Sequence, residues 1–174
     1  MTVAHRNTAG LVVRPAQAHD VPAILDIVNE AILNTTALFE YVPRTLREQH
    51  DWLAQRRAGG WPVLVADDGD GAIGFASYGP FRARPAYDAT VEHSVYVAQQ
   101  IRSKGVGRAL MLALIDAARA DRRHVMIGGI DGSNDASIAF HASLGFVETG
   151  RLPQVGWKFE RWLDLVFMQR ILED

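Results

Sequence analysis

The sequence predicts an α/β fold, with a mixed sheet of about seven strands and four helices that cover both faces of the sheet. Apolar residues of the first helical segment, among them Ile24, Ile27 and Val28, recur at three- and four-residue steps. After residue 60 the period changes to two, as in strands. The segments follow in the order βααβββαβαββ, which is typical of a layered α/β domain.

The first half of the chain is predicted to hold two helices between strands. Asp20 precedes the first helix as its N-cap, and Thr45 with Glu48 forms a capping box at the start of the second. Gly59 follows the second helix and ends it. The predicted segments are strand 11–14, helix 21–34, helix 46–58 and the hairpin strands 62–66 and 72–78.

The second half alternates strands with helices and closes on two strands. The run Thr90–Val97 leads through a glycine-containing corner into a helix, and Gly145 stops the last helix. The predicted segments are loop 81–88, strand 90–97, helix 105–119, strand 124–130, helix 134–144 and strands 146–154 and 162–170. We assign residues 11–174 to one domain and expect residues 1–10 to be a flexible N-terminus.

Composition and charge narrow the classes of function. Hydrophobic residues make up 48% and charged residues 22% of the chain, the balance of a soluble globular protein. The net charge of −2 gives no reason to expect a nucleic acid or a membrane as partner. Cysteine is absent, which excludes thiol nucleophiles, and no HExxH motif or close histidine pair favours a metal. We expect a cytoplasmic protein, because no segment approaches the roughly 18 apolar residues of a membrane helix.

The corner Arg102–Arg108 is the first candidate for a binding site. Its sequence, RSKGVGR, places two glycines and three cations where a strand leads into a helix. Unpaired backbone N–H groups and the helix dipole favour an anion such as phosphate there. The motif lacks the Gly-Lys-Ser/Thr of a P-loop and comes too late in the chain for a dinucleotide-binding fold. From spacing alone, phosphate binding and a plain tight turn both stay open.

Arg102-x-x-Gly105-x-Gly107 resembles the (Gln/Arg)-x-x-Gly-x-(Gly/Ala) signature of the GNAT superfamily of N-acetyltransferases, and the order of elements is similar over nearly the whole chain. Within that superfamily the chain resembles the phosphinothricin and methionine sulfoximine acetyltransferases. The stretches that carry this likeness are TVEHSVYV at 90–97, Asn134-x-x-Ser137, Leu144-Gly-Phe146 and PQVGWKFERWLD at 153–164. Ser103 departs from the pattern, because glycine is common at that position.

The resemblance implies acetyl-CoA as co-substrate, held where the central sheet splays apart. The corner would wrap the pyrophosphate, and the strand edge before it would pair with the pantetheine. A backbone N–H of that edge, that of Val97, would polarise the thioester carbonyl. Asn134 would contact the coenzyme, although it suits a helix N-cap equally well. The predicted coenzyme-binding residues are Val95, Tyr96, Val97, Arg102, Ser103, Lys104, Gly105, Val106, Gly107, Arg108 and Asn134.

Glu92 and His141 are the predicted catalytic pair. Glu92 could be an exposed strand carboxylate, but Thr-Val-Glu-His resembles the strand that bears the base in the subgroup. His93 would point to the opposite face as a packed histidine, and it is the second choice of base. His141, where many relatives carry tyrosine, could protonate the thiolate or be an ordinary polar helix residue. Tyr96 could face the same cleft.

The resemblance also implies an acceptor pocket beside Glu92. Arg82 would anchor an α-carboxylate through the two parallel hydrogen bonds that a guanidinium makes, whereas Arg84 could be a solvated charge. Phe39 and Tyr41 could form an apolar wall or belong to the core. The predicted acceptor-binding residues are Arg82, Ala83, Arg84, Glu92, His93 and Ser94.

The sequence-based hypothesis is therefore an acetyl-CoA-dependent N-acetyltransferase that acts on the α-amine of a small amino-acid-like acceptor. Methionine sulfoximine, methionine sulfone and phosphinothricin are the expected acceptors. The segment 158–164 could be a plain hairpin, but in the subgroup it helps to form a homodimer and closes the pocket, and we expect a homodimer here. Acetylation of a protein N-terminus or another amine is the alternative reaction. A CoA-binding sensor without catalysis is the alternative of another class.

Overall fold

The computed structural model describes residues 10–101 and 105–172, and the strands in this part of the chain form one seven-stranded sheet. The strand order is β1-β2-β3-β4-β5-β7-β6, and only β4 and β5 pair in parallel. The predicted mixed α/β sheet is confirmed. The strands are β1 (Val12–Pro15), β2 (Val63–Asp67), β3 (Ala72–Pro80), β4 (Thr90–Val97), β5 (Val125–Asp131), β6 (Val147–Lys158) and β7 (Arg161–Ile171). The helices are α1 (Val21–Asn34), α2 (Leu46–Ala58), α3 (Val106–Ala120) and α4 (Asp135–Ala142).

The helices lie on both faces of the sheet and bury two apolar cores against it. On one face Leu110 and Leu114 of α3 pack on Met126 of β5. On the other face Ile24 of α1 belongs to the core that contains Phe75 of β3. Each of these helices buries one apolar stripe and leaves its polar side to water, which is the pattern that the sequence periodicity predicts.

The starts of α1 and α2 follow from local hydrogen bonds, with one correction. The capping box of α2 is confirmed, because the Glu48 N–H donates to Thr45 Oγ1 at 3.3 Å and the Thr45 N–H donates to Glu48 Oε2 at 2.7 Å. Asp20 makes no capping bond to α1. Its carboxylate accepts instead from the Arg14 guanidinium at 2.8 Å and from the Gln17 N–H at 2.7 Å. The ion pair to β1 therefore takes the oxygens that the sequence assigned to the cap.

Strands β6 and β7 run beyond their predicted ends and meet in a two-residue turn. Phe159 and Glu160 have φ angles of 50° and 58°, the left-handed region that a type I′ hairpin turn requires at both central positions. Lys158 and Arg161 form the last pair of the ladder. Glycine and asparagine usually signal this turn, and neither is present, which explains why the sequence did not predict the full hairpin.

Candidate active site

The sheet splits between β4 and β5. Their parallel pairing covers three residue pairs and ends at Glu92 and Ile127. Beyond that point β4 continues to Val97 beside β3, and β5 continues to Asp131 beside β7. A cavity of about 530 Å³ opens in the gap, bordered by both strands and by the starts of α3 and α4. The residues that the sequence assigned to the coenzyme and that the structure describes all line this cavity.

The edge of β4 presents backbone groups to the gap. The N–H of Ala98, just after the strand, donates to the Ile73 carbonyl of β3 at 2.9 Å. Because backbone direction alternates along an antiparallel pair, Tyr96 also directs its N–H and C=O to β3. Val95 then directs its N–H and C=O toward the gap. This is the strand edge to which an extended ligand can add itself by hydrogen bonding.

Helix α3 begins at the mouth of the cavity. Gly105 precedes its first residue with a φ of +79°, a left-handed conformation that glycine adopts without the strain of a Cβ. The next three residues line the cavity, and the buried side chain of Val106 anchors the turn. The N–H groups of a first helical turn have no acceptor within the helix, so this end of the cavity suits a phosphate.

Gly107 and Arg108 continue the first turn of α3. A Cβ at Gly107 would lie 3.7 Å from Val97 and 3.6 Å from Phe140, so this turn lies close to β4 and α4. Arg108 is exposed at the rim. Arg102, Ser103 and Lys104, which the sequence assigned to the pyrophosphate, lie outside the described residues.

Asn134 caps α4 and also lines the cavity. Its Oδ1 accepts from the Ser137 N–H at 3.0 Å. Because the cap uses the oxygen, the two N–H donors of the side-chain amide are left for a ligand. The cap and the predicted coenzyme contact therefore use different atoms and do not compete.

Glu92 extends from β4 at the point where the strands part. It lies on the strand face of Tyr96, which packs with the core beneath α1. Glu92 is exposed along the strand, as the sequence analysis allowed. Partial desolvation nevertheless raises the pKa of its carboxyl, and the Arg82 guanidinium lowers it in part. A carboxylate with a raised pKa is a stronger base, which suits proton removal from an ammonium group.

Two glycines of β5 make room for the side chains of β4. A Cβ at Gly128 would lie 2.7 Å from His93 Nε2, and a Cβ at Gly129 would lie 3.4 Å from Glu92 Oε1. Consecutive residues of a strand point to opposite faces, so each glycine accommodates one of the two β4 neighbours. The sequence analysis missed this pair, although glycine inside a predicted strand is a known sign of close approach.

His93 and His141 stack against each other at the wall of the cavity. Their ring centroids are 5.1 Å apart and their planes differ by 23°. Both rings are buried, with His93 7% and His141 3% exposed. Burial lowers the pKa of both imidazoles, that of His93 to about 3. His93 is thus the packed histidine of the sequence prediction, on the face opposite Glu92, and this position does not favour it as an acceptor contact.

The hydrogen bond of His141 bears on its predicted role as an acid. Nδ1 lies 2.7 Å from the Ser137 carbonyl, which can only accept, so Nδ1 carries the proton of the neutral ring. Nε2 is buried without a partner among the described residues and has no proton to give in that form. Because the pKa of His141 is lowered, the imidazolium that could donate from Nε2 is scarce at neutral pH. The geometry therefore does not favour His141 as the proton donor.

The predicted acceptor residues lie between the end of β3 and the middle of β4. Arg82, Ala83 and Arg84 are exposed in the connecting loop. The Arg82 guanidinium lies over the Phe81 ring, 5.0 Å from its centroid, and its charge acts on Glu92. Ser94 lines the cavity on the strand face of Glu92.

The link between α1 and α2, residues 35–45, lies on the same side of the sheet as Glu92. Phe39 and Tyr41 are 39% and 65% exposed, so they are not ordinary core residues. A Cβ at Gly156 would lie 2.6 Å from the Phe39 ring, and the Tyr41 hydroxyl donates to the Trp157 carbonyl. Lys158, which the sequence analysis did not single out, is buried beneath the same link.

Metal-binding clusters and membrane-spanning helices are both absent from the described part of the chain. Within residues 10–101 and 105–172, no group of three or more His, Asp or Glu side chains is placed to hold a metal ion. None of the helices in those ranges is long and apolar enough to cross a membrane.

Comparison with known proteins finds acetyltransferases that are similar to this chain. The profile of the acetyltransferase (GNAT) family matches residues 25–146. A methionine sulfoximine/methionine sulfone acetyltransferase of Pseudomonas aeruginosa is 48% identical over 162 residues, which cover 92% of this chain and 94% of the relative.

Two crystal structures share the fold. A phosphinothricin acetyltransferase of Sinorhizobium meliloti, solved in complex with acetyl-CoA, is 38% identical with a TM-score of 0.89. The match covers 93% of this chain and 88% of that one. A ribosomal-protein-alanine N-acetyltransferase of Brucella melitensis is 48% identical with a TM-score of 0.90, over 91% of this chain and 98% of that one.

Proposed function

The chain belongs to the GNAT family of acetyltransferases, and we propose that it transfers the acetyl group of acetyl-CoA to the α-amine of a small amino-acid-like acceptor. Methionine sulfoximine and methionine sulfone are the first acceptors, and phosphinothricin is the next, because these are the compounds for which the relatives are named. The observation that carries the proposal is Glu92, which lies where β4 and β5 part and directly precedes His93 and Ser94 of the cavity wall.

The residues around the gap fit acetyl-CoA. The first turn of α3 offers N–H groups to the pyrophosphate, and the Val95–Val97 edge offers backbone groups to the pantetheine. The cavity of about 530 Å³ is within the usual range of small-molecule and cofactor sites, and Asn134 adds side-chain donors at its wall. Bound acetyl-CoA supplies the activated acyl group, as a thioester.

Glu92 acts as the base in this proposal. An amino acid carries a protonated α-amine at neutral pH, and the nitrogen attacks only after it loses a proton. The Glu92 carboxylate accepts that proton, directly or through one water, and the freed nitrogen attacks the thioester carbonyl carbon. The N–H of Val97 donates to the carbonyl oxygen as negative charge develops on it.

The tetrahedral adduct then collapses with cleavage of the C–S bond, and the attacking nitrogen releases its second proton to water. Water supplies the proton that the departing thiolate takes up. The Nδ1–H of His141 is held by the Ser137 carbonyl, and its Nε2, which carries no proton, is buried without a partner among the described residues. We assign His141 the role of shaping the cavity wall, and not that of the acid predicted from the sequence. Tyr96 lies on the face of β4 opposite His93, and its ring packs against that of Phe75, with ring centroids 5.3 Å apart.

Arg82 is the proposed anchor for the α-carboxylate of the acceptor. It lies close enough to Glu92 to affect its pKa, and an α-carboxylate is separated from its amine by only one carbon. The Arg82 guanidinium can therefore hold the α-carboxylate of the acceptor while Glu92 faces its amine. The exposed rings of Phe39 and Tyr41 form the proposed apolar wall.

The second candidate function is acetylation of a protein N-terminus, which is favoured by the 48% identity to the ribosomal-protein-alanine N-acetyltransferase. The two acceptors differ in the group attached to the α-carbon beside the amine, since a peptide has an amide there and no α-carboxylate for Arg82. The proposed homodimer rests on the exposed aromatic residues of the β6–β7 hairpin, Trp157, Phe159 and Trp162. The cytoplasmic location expected from the sequence stays a prediction.

A thiol-release assay with acetyl-CoA tests the proposed function. The acceptor panel contains methionine sulfoximine, methionine sulfone, phosphinothricin, proteinogenic amino acids and a peptide with an N-terminal alanine. The proposal predicts that the first three give the highest kcat/KM. Release that depends on the peptide alone would favour the second candidate, and coenzyme binding without release for any acceptor would favour the CoA-binding sensor.

A further inference from the structure

Lys158 is a buried cation at the end of β6. Only 3% of the residue is exposed, and lysine is almost never buried to this degree without partners. Its Nζ donates to three backbone carbonyls, those of Ile32 at 2.7 Å, Thr35 at 2.8 Å and Leu38 at 2.6 Å. An ammonium group has three donors, so all of them are used.

The three carbonyls belong to one stretch of chain, the end of α1 and the start of the α1–α2 link. Ile32 lies in the last turn of α1, where carbonyls have no partner within the helix and the dipole is negative. Thr35 follows the helix as its C-cap, and Leu38 is already in the link. Lys158 therefore ends α1 and sets the direction in which the link leaves it, from a residue more than a hundred positions away.

The same link is fastened at two further points. The Thr36 hydroxyl donates to the buried carboxylate of Asp131, at the end of β5 and in the wall of the cavity. The Tyr41 hydroxyl donates to the Trp157 carbonyl, next to Lys158 on β6. Between these points Ala37 lines the cavity. The link thus forms a fixed border of the cavity on the side where Glu92 lies.

We propose that Lys158 is a positioning residue that holds the α1–α2 link as the acceptor side of the active site and so determines acceptor affinity. The inference rests on the proposed function, since it assigns the link to the acceptor of that reaction. Lys158 itself touches neither reactant. Loss of its three bonds frees the end of α1 and the link while α3 and the β4 edge, which hold the coenzyme, stay in place.

Lys158→Met tests this proposal, because methionine keeps most of the side-chain volume and has no donor. The matched control is Arg57→Met, which removes a charged donor from a backbone carbonyl, that of Ala16 at 2.7 Å, far from the link. The acceptor KM of Lys158→Met should rise about tenfold or more, while the acetyl-CoA KM changes less than about twofold. The control should leave both KM values unchanged.

Hydrogen exchange of residues 35–42 gives a second measurement, which does not depend on activity. Lys158→Met should exchange faster there and as slowly as wild type in α3, and Arg57→Met should match wild type in both. If Lys158→Met does not fold, Thr36→Val loosens the link at its other anchor and should give the same changes in smaller measure.

The results separate this inference from the proposed function. Unchanged exchange in 35–42, an unchanged acceptor KM, or an equal rise of both KM values would overturn the role of Lys158. A wild-type protein that binds coenzyme but acetylates no amino acid would overturn the proposed function, and with it the acceptor role of the link.

Discussion

Glu92 and Ile127 are the last residues that β4 and β5 pair before the two strands part. Glu92, the residue at which the pairing ends, is also the one acidic residue of β4. One backbone feature, the loss of pairing after Glu92, both opens the cavity and places the proposed base beside His93 and Ser94 of its wall. The proposed function depends on this relationship.

Removal of Arg82 should shift the pH dependence of the reaction. The pKa of Glu92 is raised by desolvation and lowered in part by the Arg82 guanidinium, so Arg82→Ala should raise it further. Activity requires the carboxylate and is lost as pH falls through its pKa, so the acidic limb of kcat/KM should move to higher pH. Arg84→Ala is the control and should leave the acidic limb at the wild-type pH. If the limb also stays at that pH in Arg82→Ala, Arg82 does not affect the pKa of the catalytic group.

Arg82→Ala should also raise the acceptor KM at a pH where Glu92 is ionised. A bidentate, charge-assisted guanidinium–carboxylate pair contributes about 1.5 kcal/mol, which corresponds to a rise of about tenfold. The acetyl-CoA KM should stay near the wild-type value. Arg82→Lys should recover only part of the loss, because an ammonium group does not make the two parallel bonds. An acceptor KM that does not change in Arg82→Ala would remove this residue as the anchor.

The stacked histidines should make the fold sensitive to acid. The pKa of His93 is lowered to about 3 in the folded protein, and an unfolded histidine has a pKa of about 6.5. The folded state then binds fewer protons, so the contribution to stability is complete above about pH 6.5 and declines as pH falls toward 3. At pH 5 this loss is about 2 kcal/mol of unfolding free energy.

His93→Asn isolates this contribution. The variant should be less stable than wild type at pH 7, because it leaves a void, but its unfolding free energy should fall less between pH 7 and pH 5. Urea denaturation at the two pH values measures the difference. Parallel losses in wild type and variant would show that His93 does not carry the acid sensitivity.

Gly105→Ala should weaken both the fold and the coenzyme site. The φ of +79° at Gly105 is strained for alanine, and a Cβ there would meet no atom of the described residues within 4 Å, so the expected cost of about 1 kcal/mol is assigned to the backbone. Gly69→Ala is a matched control, because Gly69 has a φ of +106° and equally open surroundings. Both variants should lose similar stability, and only Gly105→Ala should bind CoA more weakly in calorimetry. If the two variants bind CoA with equal affinity, the start of α3 does not contribute to coenzyme binding.

Much of the fold follows from local signals in the sequence. The α2 capping box and the period of the strands placed each element within a few residues, because these signals depend on neighbours along the chain. The role of Asp20 was mistaken because its partner Arg14 lies on β1, and an ion pair between elements overrode the local cap. The type I′ turn at Phe159 was missed because it lacks its usual residues.

The site was predictable only in part, because several of its contacts join residues that are far apart in the sequence. Glu92 and Asn134 were predicted from motifs and their roles stay predictions; the structure places Asn134 in the cavity wall and Glu92 where the strands part. The lowered pKa of His141 and its bond to Ser137 depend on packing that no motif encodes. Lys158 lies in a stretch that carries the family resemblance, but nothing local indicates its burial, which depends on three carbonyls more than a hundred positions away.

The role of Glu92 is best tested by the transfer of acetyl from acetyl-CoA to methionine sulfoximine, measured in wild type and Glu92→Gln. We expect wild type to form the N-acetyl product, and Glu92→Gln to form it at least about 100-fold more slowly with CoA affinity retained. Glu148→Gln, which changes an exposed carboxylate on β6, should match wild type. A Glu92→Gln variant that turns over as fast as wild type, or a wild type that forms no N-acetyl product, would contradict the proposed mechanism.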